Sequence, residues 1–290
     1  VDKEGRASAM HLCVLQVSQR GDYTSATAAS HNNYYLDRWA VESGLSQTVQ
    51  DTGFKQKMVV TAGGTNITGF RQRLEDKTFE PIAGKTVTLS AKVTSNSSDA
   101  RICLYADGWH VGTAHTGGGT EETLTVTYTL PSISVASLIA DIVLTGASYS
   151  NIAISTGDYI EIANVQLEVG SVATEFEHRS YGEELALCQR YFEVVSTTND
   201  SDGNRYNGIA WGVSDINVFI PFRVTKRANP TLTISNNGQV FIAAWYNATG
   251  ASVTGTSERG CTISVQRTNG YTIRDGYFIK SQSITADAEL

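Results

Sequence analysis

Between Ala163 and Phe192 the chain reads ANVQLEVGSVATEFEHRSYGEELALCQRYF, and no other stretch constrains the fold as tightly. Leading into it, Ile160, Ile162, Asn164 and Gln166 alternate with Glu161, Ala163, Val165 and Leu167, the two-residue period of a strand. Gly170-Ser171 breaks that strand, an extended arm follows from Val172 to Arg179, and Gly182-Glu183-Glu184 opens a helix. A junction of this kind predicts a folded body on each side: a strand and linker over 1–33 packed on a first domain at 34–179, a linking helix at 180–195, and a β-rich domain at 196–290.

Both bodies are expected to be all-β. Hydrophobic residues make up 41% of 290, enough for real cores. Thr, Ser, Gly and Tyr are abundant, which favours half-buried strands and turns. Lys85–Thr94 shows the pattern best, with Val87, Leu89, Ala91 and Val93 alternating against Thr86, Thr88, Ser90 and Lys92. Similar runs at Tyr34–Val41, Ser46–Asp51, Lys57–Thr61, Thr68–Leu74, Arg101–Ala106, Glu122–Leu130, Leu138–Thr145 and Tyr159–Leu167 predict a sandwich of two antiparallel sheets. Met10–Val17 reads as a buried opening strand. In the second body, Asn236-Asn237-Gly238 predicts a tight turn between two strands, and Pro221 predicts an edge or a bulge.

The junction resembles one found in bacteriophage tail and fibre proteins. There a carbohydrate-binding-module-like jelly roll hands over, through Gln-Leu-Glu-x-Gly-Ser-x-Ala-Thr-x-Phe-Glu, to a helix of the type Tyr-Gly-Glu-Glu-Leu-x-x-Cys-Gln-Arg-Tyr. The match covers about thirty positions, from Ala163 to Phe192, with Gln166–Glu177 and Tyr181–Tyr191 carrying the two motifs. Asp37-Arg38-Trp39, Phe70–Glu75 and Phe79–Ser90 are similar to segments of the same jelly rolls, and Phe219–Pro230 resembles phage tail-tip domains. The resemblance implies a jelly-roll β-sandwich, a short linking helix and a second β-sandwich-like tip domain. It also implies a virion protein assembled in the host cytoplasm, joined to other virion proteins through its N-terminal side. The absence of an initiator Met suggests a fragment or processed product.

Several chemistries are disfavoured. A net charge of −7 argues against nucleic acid, and no apolar run approaches the roughly 18 residues of a membrane helix. Cys13, Cys103, Cys188 and Cys261 are widely spaced and read as buried free thiols. His110 and His115 make a poor metal pair, although a structural calcium remains open for a jelly roll of this type. Neither a nucleophile elbow nor a phosphate loop is present, and the paired carboxylates Glu121-Glu122, Glu183-Glu184 and Asp200/Asp202 all have solvent or helix-dipole explanations. No cofactor and no enzymatic activity are expected.

Sugar binding needs aromatic platforms beside polar groups. The best local cluster is Tyr105, Asp107, Trp109 and His110, where Trp109 reads either as a platform or as core closing the sandwich end. Trp245 and Tyr246 form a second candidate, and Trp39 is assigned to the core. On the helix, Leu185, Cys188, Phe192 and Val195 form a stripe at coiled-coil spacing, a candidate homotrimer interface. The expected function is adhesion to bacterial surface polysaccharide. A ligand-free structural decoration protein and a depolymerase accessory module remain as alternatives.

Overall fold

The computed structural model describes residues 9–10, 17–53, 55–75, 80–132, 137–196, 206–242, 244–268, 270–273 and 275–289. Cys13, most of Met10–Val17, Phe79 and the Asp200/Asp202 pair lie outside them. The chain is all-β apart from one α-helix and one 3-10 turn among the described residues, and it divides into two units, Val1–Glu184 and Leu185–Glu289.

The first unit is a jelly-roll sandwich of two antiparallel sheets. One sheet runs Glu121–Thr129, Thr86–Ser95, Tyr159–Val169, Gln56–Ala62, Ser46–Asp51 and Thr27–Ala29, and Ala9–Met10 also pairs with Tyr159–Val169. The other runs Trp109–Ala114, Ala100–Tyr105, Leu138–Leu144, Thr68–Leu74, Trp39–Ser43 and Tyr34–Leu36. Because side chains alternate along each strand, the inward faces of the two sheets share a core that includes Val87, Leu89, Ala91 and Val93. Trp39 sits in that core at 1% exposure, as its sequence context implied. Tyr34–Val41 is not one strand: Arg38, at φ +74°, turns the chain between Tyr34–Leu36 and Trp39–Ser43.

The arm after Gly170 is tied back to its own strand. Glu168, itself buried, accepts from the Thr174 amide at 2.8 Å and from the Thr174 hydroxyl at 2.7 Å. Gln166 accepts from the Glu177 amide at 3.0 Å. The Gln-Leu-Glu-x-Gly-Ser-x-Ala-Thr-x-Phe-Glu spacing is therefore the spacing this tether needs. Ser180 then caps the helix Tyr181–Gln189: its hydroxyl faces the Glu183 amide at 3.4 Å, and its own amide donates to the Glu183 carboxylate at 3.1 Å.

The second unit is one eight-stranded antiparallel sheet, ordered Ala244–Asn247, Thr231–Ile242, Gly276–Asp287, Tyr206–Ala210, Asp215–Pro221, Gly260–Gln266 and Gly250–Ser257, with Phe192–Ser196 also pairing to Gly276–Asp287. The sheet curls, bringing Gly250–Ser257 back near Thr231–Ile242, and so encloses its own core.

Four expectations are corrected here. The helix stops at Gln189 rather than continuing to 195, because Phe192-Glu193-Val194-Val195, rich in strand-forming residue types, pairs with Gly276–Asp287. The supposed stripe consequently does not exist as a helical face: Cys188, Phe192 and Val195 are buried within the chain's own fold, and only Leu185 is partly open. Asn236-Asn237-Gly238 is not a hairpin turn but lies inside the strand Thr231–Ile242, where Asn236 and Asn237 pair with Ser283 and Gln282 just past a bulge at Ser235, and Gly238 takes φ +75°. Pro221 ends an interior strand opposite Gly260, where the loss of one amide costs least.

Lys226 and Glu193 hold the helix end in place. The ammonium, at 0% side-chain exposure, donates to Glu193 Oε2 at 2.5 Å and to the carbonyl of Gln189, the last helical residue. Glu193 also accepts from the Arg223 amide at 3.3 Å. Breaking a buried pair by removing one partner costs about 3–5 kcal/mol, whereas an apolar replacement of both is close to neutral. Lys226→Met should therefore lower the denaturation midpoint strongly, and adding Glu193→Leu should restore much of it. A double variant no more stable than the single one would refute this account.

Candidate functional site

The strand Leu138–Leu144 sends Leu138, Ala140, Ile142 and Leu144 into the sandwich core. Its other face carries Ile139, Asp141 and Val143, and all three are buried as well. Something covers the outside of this sheet. Directly opposite Asp141 on the neighbouring strand stands Arg71, which grips it with two bonds, Nε to Oδ1 at 2.9 Å and Nη2 to Oδ2 at 2.7 Å. The third guanidinium nitrogen reaches Glu42 at 2.5 Å.

Over this charged floor lies Tyr149, from the segment after the strand. Its hydroxyl donates to Asp141 Oδ2 at 2.5 Å and accepts from Arg71 Nη2 at 2.8 Å. Its ring stacks on Trp109, centroids 3.7 Å apart and planes 7° apart. Tyr105, paired with Trp109 across the strands, meets the indole edge-on at 5.2 Å. Burial pushes the Asp141 and Glu42 carboxyls upward, with Arg71 pulling both back. On Arg71 burial works against the charge, but hydrogen bonding and attraction from Asp141 outweigh it and raise the guanidinium further. Burial, reinforced by Asp141, raises the Tyr149 phenol.

The four residues read together from sequence separate into two places. Tyr105 and Trp109 belong to the outer face just described, and Trp109 is not part of the sandwich core. His110, one residue along, points the other way. It stacks on Tyr128 of the opposite sheet, centroids 3.4 Å apart, and its Nε2 lies 3.0 Å from Asp107. Tyr128 donates its hydroxyl to Asp107 at 2.9 Å. This second cluster lies at the partly open rim of the sandwich.

His115 is unrelated to His110. It is buried and pins its own loop, with Nε2 at 2.8 Å from the Thr120 carbonyl and Nδ1 accepting from the Gly117 amide. No group of three or more His, Cys, Asp or Glu side chains at metal-binding spacing occurs among the described residues. Glu121 engages Lys55 at 2.9 Å and Glu122 engages Thr116, so each carboxylate has a neighbour of its own. Cys103, Cys188 and Cys261 are buried, and burial pushes the Cys261 thiol up to about 11.

In the second unit Trp245 and Tyr246 do not form one platform, because successive residues of the edge strand Ala244–Asn247 face opposite ways. Trp245 pairs with Phe241 and lies beneath Lys280 Nζ at 4.1 Å, whereas Tyr246 packs against Arg267 at 4.0 Å.

Glu42, Arg71, Asp141, Tyr149 and Tyr128 were missed in the sequence. For Asp141 a signal exists: a lone carboxylate inside Leu-Ile-Ala-Asp-Ile-Val-Leu must find a cation. Nothing local marks Tyr149 as its partner.

Among solved structures the chain is similar to the C-terminal family 22 carbohydrate-binding module of Clostridium thermocellum Xyn10B. The identity is 16%, over 53% of this chain and 100% of that one, with a TM-score of 0.34. It is also similar to the tandem CBM22-1–CBM22-2 domain of Paenibacillus barcinonensis Xyn10C (12%, 92% and 99%, 0.31) and to discoidin II of Dictyostelium discoideum (8%, 98% and 95%, 0.22). No protein-family model matches the chain, and no curated protein does. Likenesses this distant carry no conclusion about a ligand, so the site is argued from its own geometry.

The rim cluster gives a pH test. Hydrogen bonds from His110, then Tyr128, hold Asp107 below the ordinary carboxylate range. A depressed carboxyl contributes stability above its unfolded value, about 3.9, and loses it as pH falls through the folded value. Asp107→Asn should therefore melt below wild type by a constant margin above about pH 5, and the margin should close in stronger acid. A margin unchanged down to pH 2 would sink the assignment.

Proposed function

We propose that this chain is a non-enzymatic bacteriophage fibre protein that binds bacterial surface polysaccharide through the outer face of its jelly roll, as a homotrimer. One observation carries the glycan reading: Trp109 stands beside Arg71, Asp141 and Glu42 on a single sheet face, with Tyr149 laid over them. The indole face suits the apolar side of a pyranose, and a guanidinium flanked by carboxylates suits its hydroxyls. The phage assignment rests on the resemblance of the junction and of Phe219–Pro230. In this reading other virion proteins meet the N-terminal side. Single sites of this kind are weak, and repetition around a trimer and over a virion supplies avidity.

A ligand-free structural role has one observation in its favour, since Tyr149 already occupies a face of Trp109. The two readings separate on Trp109→Ala. Loss of the ring should weaken adsorption to the host polysaccharide by about 1–3 kcal/mol per site while a cooperative melt persists. A folded variant that adsorbs like wild type would leave only the structural role. The trimer is checked by sedimentation at micromolar concentration, where a monomer refutes it.

A further inference from the structure

Tyr149 is held in an unusual way. It is one of four non-glycine residues with positive φ among those described, at +52°, in a region that side chains with a Cβ occupy at a cost. The loop carrying it closes on itself, with the Gly146 amide donating to the Ser150 carbonyl at 3.0 Å and the Tyr149 amide to the Gly146 carbonyl at 3.0 Å. Ala147 and Ser148 at its tip are exposed. Nothing in the loop itself demands that the tyrosine ring turn inward. The inward pose is maintained by the indole of Trp109 and by the hydroxyl's two bonds to Asp141 and Arg71.

Those contacts are the ones a sugar ring would make. The aromatic ring lies parallel to the indole, as the apolar face of a pyranose does. The phenol donates to a carboxylate and accepts from a guanidinium, as a sugar hydroxyl does between the same groups. We infer that Tyr149 fills a pyranose subsite of this chain, and that a neutral pyranose unit binds by displacing it onto Trp109, Arg71, Asp141 and Glu42. Neutrality follows from the floor, where Arg71 is already engaged by Asp141 and Glu42, so an anionic group would have to compete with two carboxylates for the same guanidinium. Displacement requires the ring to leave the indole and the hydroxyl to release Asp141 and Arg71. In wild type the apparent affinity is reduced by the fraction of molecules in which the ring is out. The inference rests on the glycan-binding reading above and specifies its ligand.

The test is calorimetry and saturation-transfer NMR with xylohexaose and cellohexaose as neutral probes and a galacturonic acid trimer as the acidic one. Tyr149→Ala removes the competing ring and should bind a neutral hexamer about tenfold tighter than wild type, as expected where the competent state is a minor one. Tyr149→Phe keeps the ring but loses both tethers and should fall between the two. The acidic trimer should bind neither variant. Equal or weaker binding of the neutral hexamers by Tyr149→Ala would overturn the inference, because Tyr149 would then be part of the platform or irrelevant to it. Should Tyr149→Ala fail to fold, Tyr149→Phe decides alone, and affinity no better than wild type is the overturning result. Silence of all three proteins towards both neutral hexamers also overturns it. The glycan-binding reading is judged separately, by adsorption of the Trp109→Ala variant, so either can fail alone.

Discussion

A carboxylate in the middle of an apolar strand cannot be left to itself, and the outer face of the jelly roll is arranged around that constraint. Asp141 has 0% exposure. Desolvating it alone would be prohibitive, so Arg71 must stand across the ladder from it, and the remaining lone pair must find a donor. Tyr149 is that donor. Once its hydroxyl is fixed at the floor, its ring has to lie over the sheet, and Trp109 is what it lies on. The aromatic stack follows from the buried charge.

The same device recurs where the chain was most recognisable. Glu168 and Gln166 hold the arm through Thr174 and Glu177, while Lys226 and Glu193 lock the helix end to the strand Phe192–Ser196. The two segments carrying the phage resemblance are thus explained largely by buried polar tethers. Their residue types answer to geometry inside the fold. They say how the chain is built, and the binding face has to be argued from other residues.

That division explains what could be read in advance. Long strands with one core face, such as Thr68–Leu74 and Thr86–Ser95, are legible because burial imposes a period of two. The helix from Tyr181 was visible too, but its end was not, because Phe192 and Val195 continue the helical spacing while their pairing partner lies about ninety residues away, at Gly276–Asp287. Asn236-Asn237-Gly238 has the local chemistry of a turn, but pairing with the neighbouring strand Gly276–Asp287 keeps it extended. At the site, adjacency misled: Tyr105, Asp107, Trp109 and His110 are close in sequence, but strand alternation gives them to two faces. Arg71, Asp141 and Tyr149 are brought together by strand register and a loop, neither of which composition reveals.

A face that satisfies its own charges without a ligand sets strict terms for any ligand. Arg71 and Asp141 are paired with each other and with the phenol while Tyr149 is in place, so an incoming group gains little from merely being apolar. It has to offer an acceptor to the guanidinium and a donor to Asp141 at the spacing the phenol already uses, or leave a buried charge short of a partner. An unmet polar group costs about 1–3 kcal/mol, more when charged. Discrimination among sugars at such a site therefore comes from where a hydroxyl sits on the ring, while the stack on Trp109, tolerant of ring type, adds affinity without choosing.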